Sequence, residues 1–230
     1  GFWQWIAKPD YDTNVGYNVS SMAKLREIYA GARMDDDLFA LLRDPAAREL
    51  LRSVLIHTYF SSEIQPLLEE QAFINLTAFT YAKEVIAGIK ESMVSFAQGP
   101  TEIQRVRDQG FRRAIVSLYD HRCALCGIRM RTPEGHTVVE AAHIVPWSES
   151  YDDMPTNGLC LCRLCHWSFD EGLMSVGGQY EVLVSDRVRI DSNIPGHILT
   201  LVDRLIFKPE NERFWPGQDN LSRHRKLRFA

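Results

Sequence analysis

Apolar positions recur with a helical period through most of the first hundred residues. Met22, Leu25, Ile28 and Tyr29 keep three- and four-residue spacing behind Ser20-Ser21, whose hydroxyls suit an N-cap, and Gly31 closes a predicted helix over 22–29. Asp44 before Pro45 is a cap followed by a first-turn proline, and predicts a helix over 46–59. Ser62 and Gln65 have capping-box spacing ahead of Leu67 and Leu68, and a further helix is expected over 75–97, ending at Gly99-Pro100. Thr101 opens another through Tyr119, with Phe111, Ala114, Ile115 and Leu118 on one face and arginines on the other.

The pattern then shortens. Residues 138–145 read as a strand that Pro146 ends, 159–161 as a short strand, and 163–171 as a short helix stopped by Gly172. Residues 173–176 and 180–184 form a hairpin pattern with Gly177-Gly178 at its turn. Trp3 and Trp5 alternate as in a strand that packs both rings into a core, though either ring also suits stacking on a base. The class expected is α+β, with a mostly helical domain over 1–100 and a second domain over 101–230.

Composition narrows the function classes. With 230 residues, 45% hydrophobic and 24% charged, collagen-like, low-complexity and largely disordered readings are set aside. No apolar run approaches the ~20 residues of a membrane span, so no membrane partner is expected. The opening Gly1-Phe2-Trp3 carries no basic segment before an apolar one, so no secretory signal is expected, and Gly1 in place of Met fits either an expression scar or a piece of something longer. The net charge of -4 argues against wholesale coating of nucleic acid. Its distribution is uneven, however. Arg105, Arg107, Arg112, Arg113, Arg122, Arg129 and Arg131 crowd one stretch and Arg223, Arg225, Lys226 and Arg228 the tail, while Asp35-Asp36-Asp37, Glu63, Glu69 and Glu70 lie in front. Such asymmetry permits a phosphate-binding surface, and fits solvated arginines on helices equally well.

The five cysteines carry the first specific chemistry. Cys123 and Cys126 form one C-x-x-C and Cys162 and Cys165 a second, a pattern unlike a secreted disulfide framework and suited to a reducing, cytoplasmic setting. Two thiolates two residues apart can point at one ion from a tight knuckle, and two such pairs complete the tetrahedron of a structural Zn²⁺. Gly127 stands just past the first knuckle, where a positive φ costs little. A single C-x-x-C also serves redox chemistry, but a second copy favours zinc. Cys160 is left over and reads as a small buried hydrophobe.

Between the thiol pairs lie Glu140-Ala141-Ala142-His143-Ile144-Val145-Pro146-Trp147, then Asn157-Gly158-Leu159, and after them Cys165-His166-Trp167-Ser168-Phe169-Asp170. Here the chain resembles the HNH (ββα-metal) nucleases, in particular the four-Cys, zinc-framed subgroup of bacterial restriction-type enzymes. The likeness covers roughly residues 107–184. It implies a divalent-metal-dependent DNA endonuclease, with His143 as general base and His166 as metal ligand. Asn157 is implied to fix its loop, either orienting His143 or reaching the metal. Asp170, one turn beyond His166, shares its face and is a candidate second ligand. Mg²⁺ or Mn²⁺ is the expected catalytic ion, with Zn²⁺ purely structural.

An imidazole with an ordinary pKa near 6.5 suits proton removal from water at neutral pH. One position departs from the family pattern: many members carry Asp or His directly before the base, and here Ala142 stands there. Either fewer protein ligands hold the ion, or Glu140, on the same strand face, substitutes, or the nuclease is weakened. The alternative function is thus a zinc-stapled DNA-binding or interaction protein without catalysis; a nuclease acting on RNA is a third reading. The family lays its helix along the minor groove, with Arg112, Arg113, Arg129, Arg131 and the basic tail as candidate backbone contacts. The opening residues faintly resemble the region preceding the nuclease in modification-dependent restriction enzymes, which points to defence against foreign or modified DNA. A homodimer is one route to cutting both strands. The remaining histidines, His57, His121, His136, His197 and His224, have no such context.

Overall fold

The structure is a computed structural model that describes residues 3–12, 16, 18–88, 100–189 and 193–229. Packing divides the chain into two compact units, 1–70 and 71–230. The first begins with β1 (Trp3–Ala7), paired antiparallel to β2 (Tyr29–Met34) so that Trp3 faces Met34 and Trp5 faces Ala32. Between them α1 (Met22–Ile28) starts where Ser21 accepts a hydrogen bond from the Lys24 amide at 3.2 Å. The helix stops before Tyr29 because five of the next six residues find strand partners in β1, so Gly31 lies in a strand rather than closing a helix. The two tryptophans are in a strand, as expected, but not in a core: Trp3 is 57% and Trp5 52% exposed, and the Trp5 ring lies against Tyr29, 5.2 Å between ring centroids. A lone two-stranded ribbon has no second layer to bury them.

The acidic run proves to be a helix start. Asp35 caps α2 (Asp36–Arg43), and Asp36 and Asp37 in its first turn complement the helix dipole. Asp44 accepts from the Ala47 amide at 2.7 Å and opens α3 (Pro45–Tyr59), with Pro45 in the first turn. The two segments expected around Leu67 and after Asn75 are one helix, α4 (Gln65–Ala87); the continuation expected to 97 lies outside the described residues.

From residue 71 onward α4 belongs to the second unit. Ile74, Ala78, Tyr81, Ala82 and Val85 bury against Val106 and Ala114 of α5 (Pro100–Leu118). Gly110 permits this crossing: a Cβ there would lie 2.5 Å from Tyr81 Cδ1 and 2.9 Å from the Ala78 carbonyl. Compact packing of the second unit thus begins at residue 71, within α4. The opposite face of α5, with Phe111 and Ile115, enters the main core beside Leu159, Leu161 and Phe169.

There β3 (Val139–His143) pairs antiparallel with β4 (Gly158–Cys162), Val139 opposite Cys162 and His143 opposite Gly158. β3 ends at His143, two residues before the predicted limit, because the Val145 backbone bonds to the Asn157 side chain instead of a strand. A short α6 (Trp147–Ser150) follows β3, and α7 (Arg163–Asp170) follows β4 directly and packs on the hairpin. β5 (Met174–Val176) and β6 (Val182–Val184) form the expected second hairpin, and α8 (Gln218–Leu227), unforeseen in the basic tail, packs on β5. Among the described residues no helix is long and apolar enough to cross a membrane.

Candidate active site

The thiol pairs meet. The sulfurs of Cys123, Cys126, Cys162 and Cys165 all lie within 4.8 Å of one another, none in a disulfide, with Cys126 and Cys162 3.7 Å apart. A tetrahedron with Zn–S bonds of ~2.3 Å has edges of ~3.8 Å, so the four sulfurs fit zinc. Gly127 has φ +78°, as the knuckle requires. At this spacing the thiols share hydrogen bonds, chiefly through Cys123 and Cys126, that raise Cys123 and Cys165 and lower Cys126 and Cys162. A divalent ion would let all four ionise. Cys160 stays apart, its thiol raised to about 12 by burial, as suits an inert core residue.

His143, at the end of β3, lines a cleft of about 350 Å³ together with Pro146, Trp147, Phe169, Asp170, His224 and Arg228. Its ring stacks on Phe111 of α5, 3.9 Å between centroids and 7° from parallel. Its Nε2 lies 2.7 Å from Asp153, a residue sequence reasoning passed over. Asn157 is fully buried: its Oδ1 accepts from the Val145 amide at 2.9 Å, and its Nδ2 donates to the carbonyls of Val145 and Asp152 at 3.0 and 2.9 Å. The amide is thereby committed to the loop, and bonds neither to His143 nor to His166.

On α7, His166 Nε2 is 3.4 Å from Asp170, one turn on, and its Nδ1 is 3.6 Å from Glu140. Asp170 reaches the cleft; its neighbour His166 is not among the residues lining it. Burial raises the Asp170 carboxyl above the usual range, with His166 pulling the other way. The two carboxylates approach opposite nitrogens of one imidazole, so Glu140 does not share a coordination point with His166 Nε2 and Asp170. Its place suits orienting the ring instead. His166 and Asp170 offer two donors on one face, which fits Mg²⁺, an ion that keeps waters and takes phosphate oxygens as further ligands.

Residues 123–177 match the family model described as HNH endonuclease. The chain carries an HNH endonuclease domain. Among solved structures, a modification dependent TagI restriction endonuclease is similar, with 22% identity and a TM-score of 0.37 over 50% of this chain. The chain spans 36% of that protein's length. No curated protein matches the sequence.

Within the HNH domain Ala142 is buried in the core and offers no ligand. Of the arginines before and after the first knuckle, Arg112 donates to the Val139 carbonyl at 3.1 Å, and Arg113 lies 5.5 Å over the Phe79 ring. Arg129 is paired with Asp120 at 2.8 Å, and exposed Arg131 bridges to Thr137. In the tail, Arg223 and Arg228 both reach Glu149, at 3.0 and 3.5 Å, beside the cleft of the HNH domain. His224 is a satisfied core residue: it stacks on Phe169 at 3.6 Å and bonds Ser175 and the Phe169 carbonyl at 2.9 and 3.0 Å. Tyr81 and Asp153 are the residues at the site that sequence reasoning missed; Arg107 and Arg228 entered it only as members of the basic stretch and the basic tail. The one available signal was an acid pair, Asp152-Asp153, between the histidine and the asparagine of the motif.

Proposed function

We propose that the chain is a divalent-metal-dependent DNA endonuclease of restriction type, acting on foreign or modified DNA, with residues 101–230 as its nuclease domain. The observation that carries this reading is the cleft lined by both His143 and Asp170, with His166 Nε2 3.4 Å from Asp170. His143 is the base: it takes a proton from water as the water oxygen attacks phosphorus and the bond to the leaving sugar oxygen breaks. Asn157 holds the loop that follows β3, and so the position of the base. His166 and Asp170 would hold Mg²⁺ or Mn²⁺, which supplies positive charge for the phosphate and the departing oxygen. Zn²⁺ on the four cysteines ties the knuckle after α5 to the start of α7.

Arg228 lines the cleft beside its partner Glu149, and Arg112, Arg113, Arg129 and Arg131 are the further contacts proposed for the DNA backbone. Two copies acting together would cut both strands. Ala142 favours a second reading, a DNA-binding protein with weakened catalysis, because its core position leaves the ion two protein donors. Plasmid cleavage with Mg²⁺, Mn²⁺ or chelator, by wild type and His143→Ala, decides between them. The nuclease reading requires ion-dependent cutting that His143→Ala abolishes; an inactive wild type that still binds DNA supports the second reading.

A further inference from the structure

The imidazole in the cleft is held by a carboxylate outside the histidine–asparagine–histidine set. Asp153 Oδ1 lies 2.7 Å from His143 Nε2, and the residue is only 9% exposed. Its other oxygen accepts from the Tyr81 hydroxyl at 2.6 Å and lies 3.4 Å from Arg107 Nε. Burial, and next the bond to Asp153, raises the Tyr81 hydroxyl well above its ordinary range, so Tyr81 is a donor throughout neutral pH. Arg107 is itself pinned, its guanidinium 3.7 Å over the Trp147 ring. An ionised carboxylate accepts hydrogen bonds and cannot donate them. With Tyr81 and Arg107 at one oxygen, the other takes the N–H of the ring. His143 Nδ1 forms no hydrogen bond among the described residues, and the ring lines the cleft.

We propose that Asp153 is a positioning residue: it fixes His143 as the Nε2–H tautomer, leaving the Nδ1 lone pair to take the proton of the attacking water. This rests on the reading of His143 as the base. As the water oxygen bonds to phosphorus, one water proton passes to Nδ1 and the bond to the leaving oxygen breaks with its electron pair. The leaving oxygen takes a proton from solvent, and the imidazolium returns its own to solvent. Asp153 stays ionised throughout and stabilises the transient imidazolium. Tyr81 and Arg107, from α4 and α5, hold the carboxylate in place, which gives those helices a part in the chemistry.

Two measurements on the full chain test this. Long-range ¹H–¹⁵N correlation of the His143 ring at neutral pH should show one tautomer, protonated at Nε2, in wild type, and loss of that preference in Asp153→Asn. Plasmid cleavage by Asp153→Asn should fall on the order of a hundredfold in kcat with little change in KM, as expected when a general base is misaligned. The other ionisable groups around this ring are Arg107, Tyr81, Asp170, His224 and Arg228, which the variant leaves in place. Tyr81→Phe, which keeps the ring packing, should cut kcat a few-fold in the same direction, and serves if Asp153→Asn fails to fold. A wild-type ring protonated at Nδ1, or a wild type whose cutting ignores both substitutions, overturns the proposal. The tautomer change without any cutting by wild type overturns the nuclease reading and the proton transfer, and leaves the anchoring of the ring standing.

Discussion

Replacing Asn157 by Ala removes a fully buried amide that holds three backbone groups of one loop. The buried Val145 amide loses its acceptor, and an unsatisfied buried N–H costs about 1–3 kcal/mol. The carbonyls of Val145 and Asp152 each lose a donor worth ~1 kcal/mol. Allowing for partial rescue by water, the expected loss is about 3 kcal/mol, a large share of the ~5–15 kcal/mol that holds a typical domain. Asn157→Asp is expected to be at least as damaging, since it keeps the acceptor for Val145 but turns a charged oxygen toward two carbonyls. Urea unfolding followed by tryptophan fluorescence gives the stability change, and amide exchange at Val145 gives the local one. A change below 1 kcal/mol with Val145 still protected would refute the claim that this side chain is the strut of the loop. Because the same loop leads into Asp152 and Asp153, the variant should also release His143, and cleavage should fall even where the protein stays folded.

Other consequences are as specific. Metal analysis of the purified chain should find one tightly held zinc, and Cys126→Ser or Cys165→Ser should lose it together with cooperative unfolding of unit 71–230; full metal-free stability would remove the four-thiol site from the argument. Burial lowers His224 from the ordinary 6.5 to about 4, so the unfolded chain takes up this proton first as pH falls. Its contribution is intact above pH 6.5, declines between 6.5 and 4, and amounts to about 3 kcal/mol when fully lost. Urea midpoints between pH 7 and 4.5 should therefore fall more steeply for wild type than for His224→Gln, and parallel slopes would contradict it. Gly110→Ala should cost about 1–3 kcal/mol by wedging α4 from α5 at the Tyr81 ring, and should lower cleavage through the displaced Tyr81 hydroxyl; a neutral variant would mean the crossing is looser than the 2.5 Å approach implies.

What could be read from the sequence was set by short-range physics. The thiol knuckles, the Asp44-Pro45 start and the i, i+4 pair of His166 and Asp170 each depend on residues a few positions apart, and each stands in the fold as spaced. The end of α1 was misread because Tyr29 and Gly31 answer to a strand that lies more than twenty positions earlier. Asp153 could not be singled out from Asp152 because its inward turn is decided by Tyr81, 72 residues away in sequence. α8 shows little apolar patterning, and its buried members, Leu221 and His224, declare themselves only against Phe169 and Ser175.

The hairpin β3–β4 also explains how one strand serves two kinds of chemistry. Side chains three apart on a strand point to opposite faces, so Glu140 and His143 cannot meet. Glu140 turns toward α7, where His166 and Arg163 lie, and His143 turns toward α5, where Phe111 stacks on it. The proposed base is therefore held by α4, α5 and the loop after β3, and the proposed ion-binding pair by α7, whose start carries two of the clustered cysteines. His143 and Asp170 line the same cleft past the end of the strand. An acid directly before the base would point into the α7 face, and here that room is filled by core around Ala142. Loosening the helices should thus lower cleavage while metal binding, read by calorimetry with Mn²⁺, persists.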